Sequence, residues 1–295
     1  MEQTPEVRAA LRHVAARSSG DPLLAGLDVT LNFHPDRTGA DGASILAAMA
    51  RDGVYRSQFS TGTSNGGLTA HPGGDRWKWE SRIFGGAYDE APAESRPVYG
   101  ALNRHRSPYG GAPRFGSAHF RLAPGTLHRA TFCYPDSFLE PEDFGTIEAM
   151  PLLALAEADE QDALDDYIEA QLHGPVRFDL HVAALVLDPS HRGTEVEAAA
   201  RALPCPVEWH PGYRLPAAEL PRHADYRGPH VTALAAEVAR DGVLDPAAIG
   251  AAARSGQHDP QDLKKVWHCL ARFGRPADSW TRPLLDPPAP GPAHA

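Results

Sequence analysis

The chain has 295 residues, 42% of them hydrophobic and 22% charged, which argues against disorder throughout and leaves room for one large, elaborated domain. A formal net charge of -10 argues against an overall basic footprint, so there is no strong nucleic-acid signal. Cys133, Cys205 and Cys269 are too few and too far apart for a disulfide framework or a zinc site, and no apolar run is long enough for a signal peptide or a membrane span. The expected location is the cytoplasm.

In chain order, Thr4-Pro5-Glu6 with Val7, Leu11 and Val14 predicts a capped helix over 5–18 that ends at Gly20, so 1–24 reads as an N-terminal helical segment. Leu27 to His34 alternates apolar and polar residues before Pro35, predicting a strand with one buried face that carries His34 and Arg37 to its end. A helix over 43–52 stops at Gly53. The stretch from Arg56 to Gly67 follows, dense in hydroxyls, amides and glycine. It is either solvated or holds a ligand, because an unpaired buried polar group costs roughly 1–3 kcal/mol.

Residues 62–116 are rich in Gly and Pro, with Trp77, Trp79, Phe84, Tyr88 and Tyr99 as the apolar features. Such loops wrap a core or line a cleft. Strands are expected at 117–122, 128–134, 167–174, 183–188 and 207–215, with an acidic helical stretch over 147–166. Val231, Leu234, Val238, then Leu263, Val266 and Leu270 have helical spacing. The reading is α+β, with a core over 25–215, a helical extension over 216–278 and a disordered proline-rich tail over 279–295.

Glu169 and Gln171 stand two apart on a strand and so share one face. A carboxylate there can bind sugar hydroxyls and stabilise an oxocarbenium-like centre, although two exposed residues at a strand end would look the same. Arg76 and Glu80, four apart, read as a surface ion pair worth about 0.3–0.5 kcal/mol. The histidines lack metal-ligand spacing, so no metal site is expected.

Taken in order, His34-Pro35-Asp36-Arg37, Ser60-Thr61-Gly62-Thr63-Ser64 and Glu169-Ala170-Gln171 resemble the motifs of the ADP-ribosyltransferase superfamily. The closer resemblance is to an uncharacterised bacterial family and to transferase-like domains of phage head proteins. It rests on Gln58-Phe59, Thr61-Gly62 and Ser64, Arg76 with Glu80, Arg96-Pro97-Val98-Tyr99-Gly100, Thr131-Phe132, Asp136-Ser137 and Tyr167 to Gly174. It spans about 28 to 190. The resemblance implies a split-sheet fold and NAD as substrate. Its nicotinamide–ribose bond would be cleaved and ADP-ribose passed to a protein, a nucleic acid, a small molecule or water.

Arg37 or His34 would then clamp phosphate or ribose, and a strand over Ser60, Thr61, Gly62, Thr63 and Ser64 would shape the nicotinamide pocket. Glu169 would stabilise the oxocarbenium ion. The superfamily often places its catalytic acid at the second position of the pair, here Gln171. Were Gln171 in that slot, the chain would be a catalytically inactive NAD-binding module of the same fold.

Overall fold

A computed structural model describes residues 3–39, 42–62 and 69–276. Thr63, Ser64 and the tail expected over 279–295 lie outside the described residues. Helix α1 (Pro5–Ala15) starts as its cap predicts, with the Thr4 side chain accepting from the Val7 amide and Pro5 in the first turn. Strand β1 (Val29–Phe33) departs from the half-exposed expectation, since all five of its residues are buried. It is a central strand, and its polar side chains are buried because they hold a neighbouring loop.

Helix α2 (Ile45–Asp52) closes on Gly53 at φ 69, a left-handed cap that favours glycine. Strand β2 (Val54–Tyr55) leads into α3 (Gln58–Thr61), where a strand over 60–64 was expected. The Ser57 side chain accepts from the Ser60 amide and Gly62 takes the left-handed conformation. Local side-chain capping therefore closes a helical turn. Next come α4 (Asp75–Ile83), β3 (Val98–Leu102), β4 (Ala118–Leu122), β5 (Ala130–Tyr134) and β6 (Asp143–Gly145).

The acidic stretch forms only α5 (Leu152–Ala158). Beyond it, the Asp162 carboxylate accepts from the Leu164 amide at 3.0 Å, a local turn that competes with helix. Strand β7 (Ile168–Leu172), β8 (Val176–Arg177), α6 (Phe178–His181), β9 (Val182–Leu187), α7 (Glu195–Ala200) and β10 (Val207–Trp209) follow. His210-Pro211-Gly212 interrupts the strand expected over 207–215, leaving β11 (Leu215–Pro216) as a separate piece. The last third contains α8 (Pro229–Val238), β12 (Val243–Leu244), α9 (Pro246–Ser255) and α10 (Pro260–Phe273). Among the described residues no helix is long and apolar enough to cross a membrane.

The fold is α+β. Eight strands form one sheet in the order β10-β9-β4-β1-β3-β7-β5-β6, antiparallel except for β9 with β10. The join between its halves is short. Strands β1 and β3 pair at only two positions, Val29 with Leu102 and Thr30 with Ala101, whereas β3 and β7 pair at five. The gap is filled by the loop over 109–116. Asn32 Nδ2 donates to the Tyr109 carbonyl at 3.0 Å, its Oδ1 accepts from the Ala112 amide at 3.3 Å, and Thr30 Oγ1 accepts from the Gly111 amide at 2.8 Å.

That loop approaches β1 so closely that a Cβ on Gly116 would fall 2.0 Å from the Phe33 carbonyl carbon. Helix α10 clamps its far side, with Trp267 Nε1 donating to the Pro113 and Arg114 carbonyls, both at 3.1 Å. The C-terminal helices hold their own apolar cluster, including Val231, Leu244, Val266 and Leu270, and share Tyr109 with the loop.

The Gly116 contact is with backbone, which cannot step aside. Gly116→Ala should cost at least the ~1–3 kcal/mol of an overpacked core site, and a denaturant midpoint within error of the parent would contradict that close approach. His119, His173 and His268 are buried, and desolvation lowers each pKa from 6.5 to about 3. The unfolded chain then binds more protons than the folded one between those values, so these groups lower stability as pH falls from 6.5 towards 3. Melting temperature should drop between pH 7 and pH 5; a flat profile would show that these imidazoles are not held neutral.

Candidate functional site

Where β1 and β3 part, the sheet surface opens into a cleft. Thr30 and Asn32 supply one wall from β1, and Tyr99 to Ala101 supply the other from β3. Gln58 from α3, Arg76 from α4, Phe115 from the clamped loop, and Asp136 and Ser137 after β5 complete the rim with Tyr167 and Glu169. Phe138 stands at the mouth with 61% of its surface exposed.

Glu169 is 7% exposed. A carboxylate so placed needs partners, because its desolvation costs several kcal/mol. Ser137 donates twice to Oε2, through Oγ at 2.8 Å and its amide at 3.3 Å, and Gln171 Nε2 donates to Oε1 at 3.1 Å. Ser137 Oγ in turn accepts from Arg76 Nη1 at 2.8 Å. The Arg76 guanidinium lies 4.2 Å from the Tyr99 ring centroid, a cation–π contact that fixes it. Burial raises the Glu169 pKa above 4.5, while the charge of Arg76 and the bonds from Ser137 and Gln171 oppose that rise.

Gln171 is fully buried and lies below the cleft. Its Oε1 accepts from Thr131 Oγ1 at 2.8 Å, and Thr131 Oγ1 lies 2.9 Å from His173 Nε2. Having donated its one hydrogen to Gln171, the Thr131 hydroxyl accepts from His173. The neutral imidazole then carries its proton on Nε2, and Nδ1 accepts from Tyr88 Oη at 2.8 Å. The chain Tyr88, His173, Thr131, Gln171 points every donor towards Glu169.

A second buried group braces the rim. Glu80 is fully buried, accepting from Arg96 Nη1 and from Tyr99 Oη, both at 2.7 Å. The sequence reading paired Glu80 with Arg76 on the surface. The structure corrects this, since Arg76 and Glu80 are both buried and the ion-pair partner of Glu80 is Arg96. Breaking such a buried pair by removing one partner costs about 3–5 kcal/mol. Arg96 also donates to the Tyr88 carbonyl at 2.8 Å and covers Phe59 of α3 at 4.2 Å.

Of the residues singled out from sequence, Glu169 lines this cleft and Gln171 supports it. Ser60 lines a different hollow with Thr4, Phe59 and Ser95, and its hydroxyl is 3.2 Å from that of Ser57. Thr61 and Gly62 are exposed. Thr61 Oγ1 donates to the Ser57 and Gln58 carbonyls, both at 3.3 Å. His34 and Arg37 line a second groove beyond the end of β1, where the His34 ring meets the Trp267 edge at 5.0 Å. Desolvation first, and Arg37 second, hold His34 well below its usual pKa. Among the described residues, no group of three or more His, Cys, Asp or Glu is placed to hold a metal ion.

Among the lining residues not assigned to the site from sequence are Thr30, Asn32, Tyr55, Arg76, Tyr99, Phe115, Asp136, Ser137 and Tyr167. Arg76, Tyr99, Asp136, Ser137 and Tyr167 lie in stretches that carried the resemblance, whereas Thr30, Asn32, Tyr55 and Phe115 do not. The shared order of those stretches is the signal by which these five could have been found.

No curated protein matches the chain. A protein-family model matches residues 28–160 and 149–273, covering the sheet, the cleft and all three C-terminal helices. The chain therefore belongs to the family described as protein of unknown function (DUF3626).

Proposed function

We propose that the cleft binds NAD and that the chain is an ADP-ribosyltransferase-like enzyme that uses Glu169 to break the nicotinamide–ribose bond. The observation that carries this reading is a buried carboxylate on a central strand, opening to a cleft with aromatic side chains. Tyr55, Tyr99, Phe115 and Tyr167 line it around Glu169, a setting suited to a flat ring above a sugar. The short β1/β3 join, with Glu169 beside it, is compatible with the split-sheet core of that superfamily.

In this mechanism the C1′–N bond breaks and its electron pair leaves with nicotinamide, which departs neutral. The ribose C1′ becomes oxocarbenium-like, and Glu169 stabilises it electrostatically while accepting a hydrogen bond from a ribose hydroxyl. An acceptor oxygen, from water or from an acceptor molecule, forms the new bond to C1′ and releases its proton to solvent. Ser137, Arg76 and Gln171 position the carboxylate. A second reading, NAD binding without cleavage, is favoured by Arg76, whose charge linked through Ser137 offsets the negative potential that Glu169 would direct at C1′.

Glu169→Gln should abolish nicotinamide release, a loss of at least ~100-fold for a removed electrostatic stabiliser, with its melting temperature within a few degrees of the parent. If the parent binds NAD calorimetrically but releases no nicotinamide with water or candidate acceptors present, the second reading holds. If it does not bind NAD at all, both fail.

The reaction needs an ionised Glu169, so its rate should rise with pH, with an acid limb that inflects above 4.5 in line with the raised pKa. Gln171→Glu would set a second carboxylate where Nε2 now lies 3.1 Å from Glu169. Like-charge repulsion should then move the limb to higher pH. An unmoved limb would show that a different group sets it.

A further inference from the structure

Phe138 and Leu139 are 61% and 59% exposed, the most exposed large apolar side chains among the described residues. They stand side by side on a single helical turn, Ser137–Leu139, at the mouth of the Glu169 cleft. Apolar residues scattered singly over a surface need no explanation, but an adjacent pair on a fixed turn does. This turn is fixed from below. Ser137 is buried between Glu169 and Arg76, and the Asp136 carboxylate accepts from the Phe138 amide at 3.1 Å and from Tyr167 Oη. Glu140 closes the turn in a left-handed conformation, φ 51, that favours glycine.

The charge around the pair has one sign. From Asp136 to Asp166 the sequence holds eleven Asp and Glu and no Lys, Arg or His. Asp162, Asp165 and Asp166 are taken up by Arg272, by Arg114 with Arg227, and by Arg104. Asp136, Glu140, Glu142, Asp143, Asp159 and Glu160 form no ion pair among the described residues. They gather at one end of the sheet. Asp143 pairs with Tyr134 across β5 and β6, so Glu140 and Glu142 lie in the connection between those strands, and Tyr134 Oη donates to Asp159 at 3.1 Å. Three guanidinium groups come near. Arg76 is committed to Ser137 and Tyr99, Arg82 donates to the Pro141 carbonyl at 3.5 Å, and Arg17 covers the Phe144 ring at 4.2 Å. Six carboxylates against Arg82 and Arg17 leave the rim negative.

We propose that this rim docks a cationic polypeptide segment of another protein, with Phe138 and Leu139 entering an apolar recess of the partner and the six carboxylates facing its Lys and Arg side chains. Charge selects the occupant. A nucleic acid or an anionic membrane brings phosphates of the same sign as the rim. A second copy of this chain brings the same acidic rim and a net charge of -10. A small cation leaves the apolar pair in water, whereas a polypeptide carrying both basic and apolar side chains satisfies both features. Asp136 and Phe138 also line the cleft, so a segment docked here lies over it. Docking depends neither on NAD nor on bond cleavage at Glu169.

A short synthetic peptide of Lys, Arg and Leu, titrated against the full chain by fluorescence anisotropy, tests the proposal. Saturable binding that weakens with added salt is expected. Phe138→Ser should weaken it about tenfold, the loss of an apolar anchor, and Glu140→Lys should weaken it by a similar factor. Both side chains are exposed, so both variants should melt with the parent. Leu180→Ser and Glu195→Lys are the matched controls. These exposed residues lie on α6 and α7, which flank β9 near the opposite edge of the sheet, and their variants should bind as the parent does. Absence of saturable binding, or equal weakening by the controls, overturns the surface. So does a parent dimer that Phe138→Ser dissolves, which would make a second copy the occupant, or duplex DNA that binds as tightly as the peptide and is lost in Phe138→Ser.

Discussion

The centre of this molecule is organised around the burial of one carboxylate. Glu169 sits on β7 inside the large sheet, where an ionised group is sustained only if its oxygens are saturated with donors. Those donors come from elements far apart in sequence. Ser137 follows β5, Gln171 shares the strand, and Arg76 acts from α4 through Ser137. Each needs its own support: Tyr99 under Arg76, Glu80 and Arg96 behind Tyr99, Thr131 and His173 behind Gln171. The polar interior of this half of the protein is one connected set of bonds.

The cleft exists because the two halves of the sheet barely join. Two residue pairs hold β1 to β3, and beyond them a loop rather than a strand satisfies Thr30 and Asn32. The loop is itself fixed from outside by Trp267 of α10. The C-terminal helices therefore act on the cleft at a distance, by fixing the loop that carries Phe115. They also form a wall of the second groove, the one lined by His34 and Arg37, and Phe115 lines both that groove and the cleft.

Much of the framework was legible in the sequence. Thr4-Pro5 capping, the Gly53 stop and the helical spacing of Leu263, Val266 and Leu270 are local signals, and local physics sets them. What failed was non-local. The alternation over 27–34 looked half-exposed because Thr30 and Asn32 are polar, and only the loop over 109–116 explains their burial. Arg76 and Glu80 looked like a surface pair because helical spacing says nothing of Arg96 or Ser137. The strand expected from Ser60 fails at its described residues for the opposite reason, since Ser57 capping is a local interaction that closes a helical turn over Gln58–Thr61. That Glu169 and Gln171 share one face follows from their two-residue spacing on a strand, but their burial does not, because an exposed strand end has the same spacing.

The one-way chain from Tyr88 through His173, Thr131 and Gln171 to Glu169 limits how any one of its members can be substituted. Its polarity is fixed at every joint, and a protonated acid at position 171 would preserve it by donating to Glu169 and accepting from Thr131, whereas an ionised acid would not. It would offer Glu169 an acceptor where a donor stands now, and a simple exchange of ends at Thr131 would require the His173 proton to move to its other nitrogen and Tyr88 to turn its hydroxyl. Residues 88, 131, 171 and 173 are therefore coupled, since changing a donor or an acceptor at one of them alters what the other three can satisfy.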